Sequence, residues 1–401
     1  MAEIKNRWSE REQLEFFSSD DLTDMLVELV RPLGLLEATV TVVELHHRPG
    51  AGVSGVFEAR ANEAILYLGA TTESLEPVPE GVVTLGGPQG QIEVWLHPAD
   101  PRLPGLPLAT TPETVRQQWG NGKMLLDLRT LTYRPLRRAV LLARFEDHQE
   151  IFLKVLRHDG DLLFQKHEML GAAGLPVPRP AGPPVENVVA LHKVSGVPLA
   201  EELMHGTIIP MQPADILALL DGLPAELMQF PARPAWSDRL GWYGHAALTA
   251  LPEQAQRIGA LVQSLSRILE HSPRGPLAPS HGDFYEANIF VEHGKLSGLL
   301  DLDSAGPGYL VDDLACFLGH LLVLPSLDER YDKVPGYFET YAAAFAKELE
   351  ARAIGVDGLM ARAACVVLSL VAGARDEEDP QWRESALRRL KLVEKLLARD
   401  F

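Results

Sequence analysis

One ten-residue stretch, HGDFYEANIF, holds an acid, two adjacent aromatic residues and an amide next to an apolar segment. Asp283 and Asn288 lie in its loop-like part, and a second acidic run, LLDLDSAGPG, adds Asp301 and Asp303. Carboxylate and amide oxygens are the ligands that Mg²⁺ prefers, and the sequence has no HExxH or CxxC motif that would favour a softer metal. These side chains therefore predict an oxygen-lined site for a hard cation.

The segments between the two acidic runs predict how the side chains come together. NIFVE and KLSGLL are apolar runs on either side of a His293-Gly294 turn, which is the pattern of a β-hairpin. A hairpin places the start of its first strand beside the end of its second. We therefore expect the loop that precedes the hairpin and the loop that follows it to meet at one edge.

The spacing of these residues also resembles a known family. His281, Gly282 and Asp283, followed after four residues by Asn288, resemble the catalytic loop of protein-kinase-like phosphotransferases, in the aminoglycoside phosphotransferase branch that typically carries HGD. LLDLDSAGPG followed by YLVDDLACFL looks like the second signature of that branch. The resemblance is most specific over residues 281–318, and supporting features extend over residues 138–401.

The resemblance implies a role for each matched residue. Asp283 would be the catalytic base or would orient the acceptor hydroxyl, while Asn288 and Asp301 would hold Mg²⁺ on the phosphates of ATP. Asp313 would cap or brace the following helix, which is a structural role. For Asp303 two alternatives stay open, a direct role at the site or a hydrogen bond within a turn.

The family also implies a nucleotide-binding lysine on a central strand. EIFLKVLRH supplies Lys154 among apolar neighbours, where an unpaired ammonium would be costly, so a phosphate or carboxylate partner is expected. The alternative is a strand-edge lysine that extends its ammonium to solvent. Glu168, in FQKHEML, is the predicted partner, and Gln165 and His167 are alternatives.

The sequence departs from the family pattern where a glycine-rich phosphate loop is expected. YRPLRRAVLL contains no glycine, so it predicts no backbone cradle for phosphate. Arg134, Arg137 and Arg138 are candidates for phosphate contacts, with a solvated basic turn as the alternative.

The order of β and helical patterns predicts an α+β protein with a protein-kinase-like bilobal fold and an extra N-terminal cap. We assign residues 1–115 to the cap, 116–195 to a small nucleotide-binding lobe and 196–401 to a mainly helical lobe. In the cap we expect one helix, capped by Asp20 and Asp21, against an antiparallel sheet.

The composition limits the partners and the compartment. Among 401 residues the net charge is −18, which disfavours binding to nucleic acid or to an anionic membrane surface. The sequence has no apolar run of membrane-spanning length and no signal-peptide pattern at its N-terminus, so we expect a cytoplasmic protein. Cys316 and Cys365 lie in apolar helical runs and are expected to be buried, inert thiols.

The resemblance implies a small-molecule acceptor with a hydroxyl group, and an amino sugar or aminoglycoside is our first hypothesis. Glu286 and the acidic run after Ala374 would favour a cationic acceptor. Trp236, Trp242 and Tyr243 either line the acceptor pocket or pack in the core.

Two other hypotheses remain. The cap is similar to that of bacterial maltokinases and glucosamine kinases, which keeps a sugar kinase of the maltose or glucose type as an alternative. Maltokinases, however, usually have Gln where this chain has Asn288. The third hypothesis is a nucleotide-binding pseudokinase that serves as a scaffold.

Overall fold

A computed structural model describes residues 8–48, 52–87, 90–205, 209–374 and 379–398. The chain divides into two compact units, one formed by Met1–Phe164 with Pro180–Lys193 and the other by Gln165–Arg179 with Val194–Phe401. Helices and antiparallel sheets occur together, so the predicted α+β class is confirmed. The assignment of three segments, 1–115, 116–195 and 196–401, stays a prediction.

The first unit begins with two helices and a five-stranded antiparallel sheet with strand order β1-β2-β3-β5-β4. Apolar side chains of the helices, such as Phe17 and Leu26, pack on Phe57 and Val94 of the sheet. The elements are α1 (Glu10–Phe17), α2 (Asp20–Val30), β1 (Thr39–Arg48), β2 (Gly52–Ala61), β3 (Ala64–Thr71), β4 (Val82–Gly87) and β5 (Gly90–Leu96).

The expectation of a single helix in the cap is wrong, because α1 precedes the predicted one. Ser9 and Glu12 form a reciprocal capping box at the start of α1, and this Ser-x-x-Glu pattern is recognisable in the sequence. Asp20 and Asp21 occupy the first turn of α2 and do not cap it, since Ser19 holds the N-cap position. Acidic residues there still favour the helix by facing the positive end of its dipole.

A four-stranded antiparallel sheet, with strand order β6-β7-β8-β9, completes the first unit. Val56 of the cap lies in the same core cluster as Trp119, Phe145 and Leu153, so the cap and this sheet share one apolar core. The elements are α3 (Leu106–Thr110), α4 (Pro112–Trp119), β6 (Leu125–Arg134), β7 (Arg138–Phe145), β8 (Glu150–Leu156), α5 (Gly160–Ala172) and β9 (Val188–His192).

The second unit begins within α5 at Gln165 and is otherwise mainly helical, with short strand pairs between the helices. Its longest buried run lies on α12, which packs against α10 and α13. The elements are β10 (Val197–Pro198), α6 (Leu199–His205), α7 (Pro213–Asp221), α8 (Leu240–Ala250), α9 (Ala255–His271), β11 (Ala278–Ser280), β12 (Ile289–Glu292), β13 (Lys295–Leu299), β14 (Gly306–Gly308), α10 (Leu310–Val323), α11 (Val334–Ala351), α12 (Val356–Ala372) and α13 (Trp382–Ala398).

No helix among the described residues is long and apolar enough to cross a membrane. Cys316 and Cys365 are both buried, as expected from their apolar surroundings. Burial raises the pKa of Cys365 to about 12 and that of Cys316 well above its usual range, so both remain protonated thiols at neutral pH.

Candidate active site

The predicted hairpin is present and brings the two acidic loops together. Ile289 of β12 pairs with Leu299 of β13, and His293 and Gly294 form the turn with φ of 52° and 72°. Beyond the paired strands, the amide of Leu300 donates to the carbonyl of Asn288 over 2.8 Å. Asp301 is the first residue of the following loop and is next in sequence to Leu300, the residue that is bonded to Asn288.

Asp283 and Asn288 are joined by a hydrogen bond within the HGD loop. The side-chain amide of Asn288 donates from Nδ2 to the carbonyl of Asp283 over 3.0 Å. Asn288 is 7% exposed, so this bond fixes which way its amide points. With Nδ2 occupied, Oδ1 is the atom that a cation could use.

Gly282 permits the tight course of the chain before Asp283. Its φ is +78°, and a Cβ at this position would lie 2.7 Å from the carbonyl oxygen of Ser304. Any other residue would meet both backbone strain and a backbone clash. The HGD loop and the loop after Asp301 are therefore in close contact at this glycine.

Asp313 holds the HGD loop from the following helix. Its Oδ2 accepts from Ser280 Oγ and from the amide of His281, both over 2.9 Å, and its Oδ1 accepts from the amide of Gly282 over 2.8 Å. Burial raises the pKa of Asp313 to about 6, although all three hydrogen bonds favour the carboxylate. Asp313 has the expected structural role, but Tyr309 is the N-cap of α10, and the carboxylate of Asp313 braces the HGD loop instead.

His281 is a second link between the two loops. Its ring is 1% exposed, Nε2 donates to the carbonyl of Leu300 over 2.9 Å, and Nδ1 lies 3.4 Å from the amide of Asp283, which requires the proton on Nε2. Burial lowers the pKa of His281 to about 4, so it is neutral at physiological pH. This side chain acts as a fixed spacer between the loops.

The loop after Asp301 is held by a lysine that the sequence analysis missed. Lys166 of α5 is 4% exposed, and its Nζ donates to the carbonyl of Asp303 over 2.8 Å and to that of Leu302 over 3.3 Å. Asp301 adopts a left-handed conformation, with φ 59° and ψ 56°, which is uncommon outside glycine. A non-glycine residue persists there only when its surroundings hold it, and Lys166 supplies one such restraint.

The donor atoms at this edge fit Mg²⁺. Among the described residues, no group of three or more His, Cys, Asp or Glu side chains is placed to hold a metal ion. One carboxylate and one amide oxygen, from Asp301 and Asn288, are what Mg²⁺ uses when it takes its other ligands from phosphates and water. The site therefore suits a metal that arrives with a nucleotide rather than a permanently caged ion.

Lys154 lies on β8, an interior strand of the sheet in the first unit, in register with Val140 and Val189. Glu168 lies in the part of α5 that belongs to the second unit. Their pairing stays a prediction. His167, one of the alternatives, is 2% exposed, and its Nδ1 donates to the carbonyl of Pro178 over 2.8 Å.

Aromatic rings lie beside the catalytic loop in the second unit. Tyr285 stacks on His320 with ring centroids 4.2 Å apart, and Trp236 meets His320 edge-on at 6.1 Å and Tyr243 at 5.7 Å. One turn before His320 on α10, Cys316 places its Sγ 4.0 Å from Asp283 Oδ1. Burial lowers the pKa of His320 to about 4, so this aromatic cluster carries no positive charge at neutral pH.

Two side chains named in the sequence analysis occupy different surroundings from those expected. Trp242 is 58% exposed, in contrast to Trp236 and Tyr243. Glu286 is 3% exposed, and burial raises its pKa to about 7, so it is not a fixed negative charge for a cationic acceptor. Most of the acidic run after Ala374 lies within residues 375–378, outside the described residues.

The comparison with protein families decides the assignment. A model of the phosphotransferase enzyme family (APH) matches residues 147–353, just over half of the chain. The chain belongs to this family. The prediction of an aminoglycoside phosphotransferase-like enzyme that transfers phosphate to a small molecule is confirmed at that level, and the predicted cofactors, ATP and Mg²⁺, agree with it.

None of the curated proteins matches the chain. Among solved structures, a thermostable mutant of aminoglycoside phosphotransferase APH(4)-Ia is 15% identical, with a TM-score of 0.49 over 72% of this chain and 99% of that one. An ethanolamine kinase from Plasmodium vivax is 11% identical (TM-score 0.47, 72% and 90%), and a choline kinase from Cryptosporidium parvum is 12% identical (0.46, 75% and 94%).

Proposed function

We propose that this phosphotransferase moves the γ-phosphate of ATP, with Mg²⁺, to a hydroxyl group of a small molecule, an amino sugar or an aminoglycoside. The observation that carries the proposal is the meeting of Asp283, Asn288 and the Asp301 loop at one end of the β12–β13 hairpin. Phosphoryl transfer needs little covalent work from the protein, and a fixed carboxylate beside metal-holding oxygens meets its main requirement.

Each residue of this edge has a distinct task in the proposed reaction. Asp283 accepts the proton of the acceptor hydroxyl, or orients that hydroxyl, as the oxygen attacks the γ-phosphorus. Asn288 Oδ1 and the carboxylate of Asp301 hold the metal, which when bound neutralises charge on the β- and γ-phosphates. His281 links the two loops, while Lys166 restrains the loop after Asp301 and Asp313 restrains the HGD loop.

The aromatic cluster supports a cationic or sugar-like acceptor. Tyr285, two residues after the residue proposed as the base, stacks on His320, which also makes an edge contact with Trp236, and aromatic rings attract cations. A neutral His320 leaves that attraction unopposed. Because the nearby Glu286 is buried and burial raises its pKa to about 7, the rings are the stronger support for an amino group on the acceptor.

A sugar kinase of the maltose or glucose type is the second candidate. Nε2 of His320 is buried without a hydrogen-bond partner among the described residues, and a sugar hydroxyl is a suitable partner for it. The scaffold hypothesis requires ATP binding without turnover of any acceptor.

A coupled ADP-release assay separates these functions. Mg-ATP is supplied with aminoglycosides, glucosamine, maltose, glucose, choline or homoserine, and the Asp283→Asn variant serves as the blank. Turnover that depends on glucosamine or an aminoglycoside supports the proposal, and turnover with maltose or glucose alone supports the sugar kinase. ATP binding without acceptor-dependent turnover across the panel favours the scaffold.

A further inference from the structure

The first unit contains a buried polar network that joins the cap to the turn between β6 and β7. Asp100, which follows the last cap strand, is 4% exposed. Its Oδ2 accepts from Tyr133 Oη over 2.7 Å and from the amide of Leu136 over 2.8 Å. Nε1 of Trp95, on β5, donates to the same tyrosine hydroxyl over 3.1 Å. Two cap side chains thus hold the end of β6 and the turn itself.

Apolar packing fastens the same turn. Leu136, at its centre, is 1% exposed and packs with Trp95 and Leu75 of the cap. Its φ is +63°, a conformation that is uncommon for a bulky residue and persists only where the surroundings impose it. The backbone bond to Asp100 and the burial of the side chain supply that constraint.

Gly69 shows how closely the cap is fitted to this network. A Cβ at Gly69 would lie 2.3 Å from the indole of Trp95, so the indole lies directly over the glycine backbone. An ion-pair group extends the attachment at the surface, because Glu73 of the cap pairs with Arg102 and lies 3.7 Å from Arg137 of the turn.

The position of the turn gives this attachment a functional meaning. It connects the first two strands of the sheet that carries Lys154, the place where kinase-like phosphotransferases carry a glycine-rich loop over the nucleotide phosphates. A glycine-rich loop is free to adopt many conformations and loses that freedom when a nucleotide binds. The turn here has no glycine, and the cap holds it in one conformation.

We propose that Asp100 and Tyr133 are positioning residues for nucleotide binding, through which the cap locks the Arg134–Arg138 turn in the conformation that receives the phosphates of ATP. This inference rests on the proposed function, because it requires ATP as the donor. The cap would then take part in catalysis by supporting nucleotide binding. Where a glycine-rich loop would be flexible, this turn is held in place by the buried network. The contribution of the cap to nucleotide affinity then comes from contacts made within the first unit.

The Tyr133→Phe variant tests the proposal, because it removes one hydroxyl and keeps the ring. Tyr67→Phe is the matched control, since Tyr67 Oη also donates to a cap carboxylate, that of Glu58, over 2.9 Å, but on the solvent-exposed side of the sheet. The Kd for ATP in the presence of Mg²⁺ is measured by calorimetry without acceptor, and hydrogen exchange is measured over residues 134–138.

We expect Tyr133→Phe to raise the Kd for ATP by about tenfold. This is the increase that follows if the binding-competent conformation of the turn falls to roughly one tenth of the population. Hydrogen exchange in the turn should become faster, while Tyr67→Phe should match the wild type in both measurements. Trp95→Phe, which removes the Nε1 donor together with part of the indole ring, should shift both quantities in the same direction and serves if Tyr133→Phe folds poorly.

Two results would overturn the proposal. In the first, hydrogen exchange in the turn becomes faster but the Kd for ATP does not change. In the second, hydrogen exchange in the turn does not change. If the wild-type protein binds no ATP, the proposed function itself fails. That result differs from one in which wild type and variants bind ATP equally well, where only the role of the cap is lost.

Discussion

The amide of Gly282 donates a hydrogen bond over 2.8 Å to Oδ1 of Asp313, 31 residues further along the chain. The glycine belongs to the HGD loop and the aspartate to the first turn of α10. Because the other oxygen of Asp313 accepts bonds from Ser280 and His281, one side chain fixes Gly282 and the two residues before it. The position of Asp283 thus depends on a carboxylate that does not need to touch substrate.

Replacing Asp313 should loosen the catalytic loop. Asp313→Asn keeps the shape but turns one acceptor oxygen into a donor facing N–H or O–H groups, and each lost bond to a charged acceptor costs about 1.5–3 kcal/mol. We expect kcat to fall at least about tenfold and hydrogen exchange at residues 280–284 to accelerate.

Asp312→Asn is the control for this variant. Asp312 Oδ1 accepts from Ser237 Oγ over 3.0 Å and lies 3.4 Å from Nε of Arg362, away from the loop bonds of Asp313. An equal loss of kcat in both variants, with no change in exchange at residues 280–284, would contradict the role of Asp313.

Asp283→Asn should separate chemistry from nucleotide binding. The neutral amide cannot accept the hydroxyl proton, so we expect turnover to fall by about two to four orders of magnitude while the Kd for ATP stays within a few-fold of the wild-type value. Steady-state kinetics and calorimetry provide the two quantities. A parallel loss of ATP binding would make the residue structural.

Asp301 and Asp303 offer a matched pair for the metal site. The proposed ligand is Asp301, whereas Asp303 presents its backbone carbonyl to Lys166. Asp301→Ala should remove the Mg²⁺-dependent part of ATP binding, and Asp303→Ala should retain most of it. ATP titrations at several Mg²⁺ concentrations provide the comparison. A Mg²⁺ dependence that survives in Asp301→Ala removes this residue from the metal site.

Lys166 should support Mg²⁺ binding without touching the metal. Lys166→Met keeps much of the side-chain length but leaves the carbonyls of Leu302 and Asp303 without their ammonium donor. We expect weaker Mg²⁺-dependent ATP binding and a free energy of unfolding lower by about 1–3 kcal/mol. Lys295→Met, on the exposed end of β13, is the control. Equal behaviour of the two variants would argue against a restraint by Lys166.

His320 should make stability sensitive to acid. Its folded-state pKa of about 4 lies below the usual 6.5, so the unfolded chain binds the proton first as the pH falls. The free energy of unfolding associated with neutral His320 is fully present above about pH 6.5 and decreases progressively toward pH 4. At pH 5 the decrease is about 1–2 kcal/mol.

The His320→Phe variant tests this dependence, because it keeps a ring against Tyr285 and removes the titrating group. Its free energy of unfolding should fall less between pH 7 and pH 5 than that of the wild type. The control is His271→Gln at an exposed position of α9. Identical pH profiles for wild type and His320→Phe would contradict the lowered pKa.

Local patterns in the sequence predicted much of the site. The His293-Gly294 turn between apolar runs predicted the hairpin, and Gly174, with φ of 85°, follows the end of α5, where glycine is the usual residue. Both depend on residues that are close in sequence, where turn chemistry is decisive.

The restraints on the site depend on distant residues and could not be predicted in this way. Lys166 is 136 residues from Leu302, and Tyr133 is 33 residues from Asp100. A lysine in a helical run is normally a solvated residue, and only the folded chain reveals that this one is 4% exposed. Its unusual environment follows from tertiary packing rather than from its neighbours in sequence.

The most direct test of the central claim is mass spectrometry of the acceptor after incubation with Mg-ATP and wild-type protein or Asp283→Asn. We predict that glucosamine or an aminoglycoside gains one phosphoryl group with the wild type and remains unmodified with the variant. Equal phosphorylation by both proteins would show that Asp283 is not the residue on which transfer depends. No phosphorylated product from any acceptor of the panel, despite ATP binding, would contradict the proposed function.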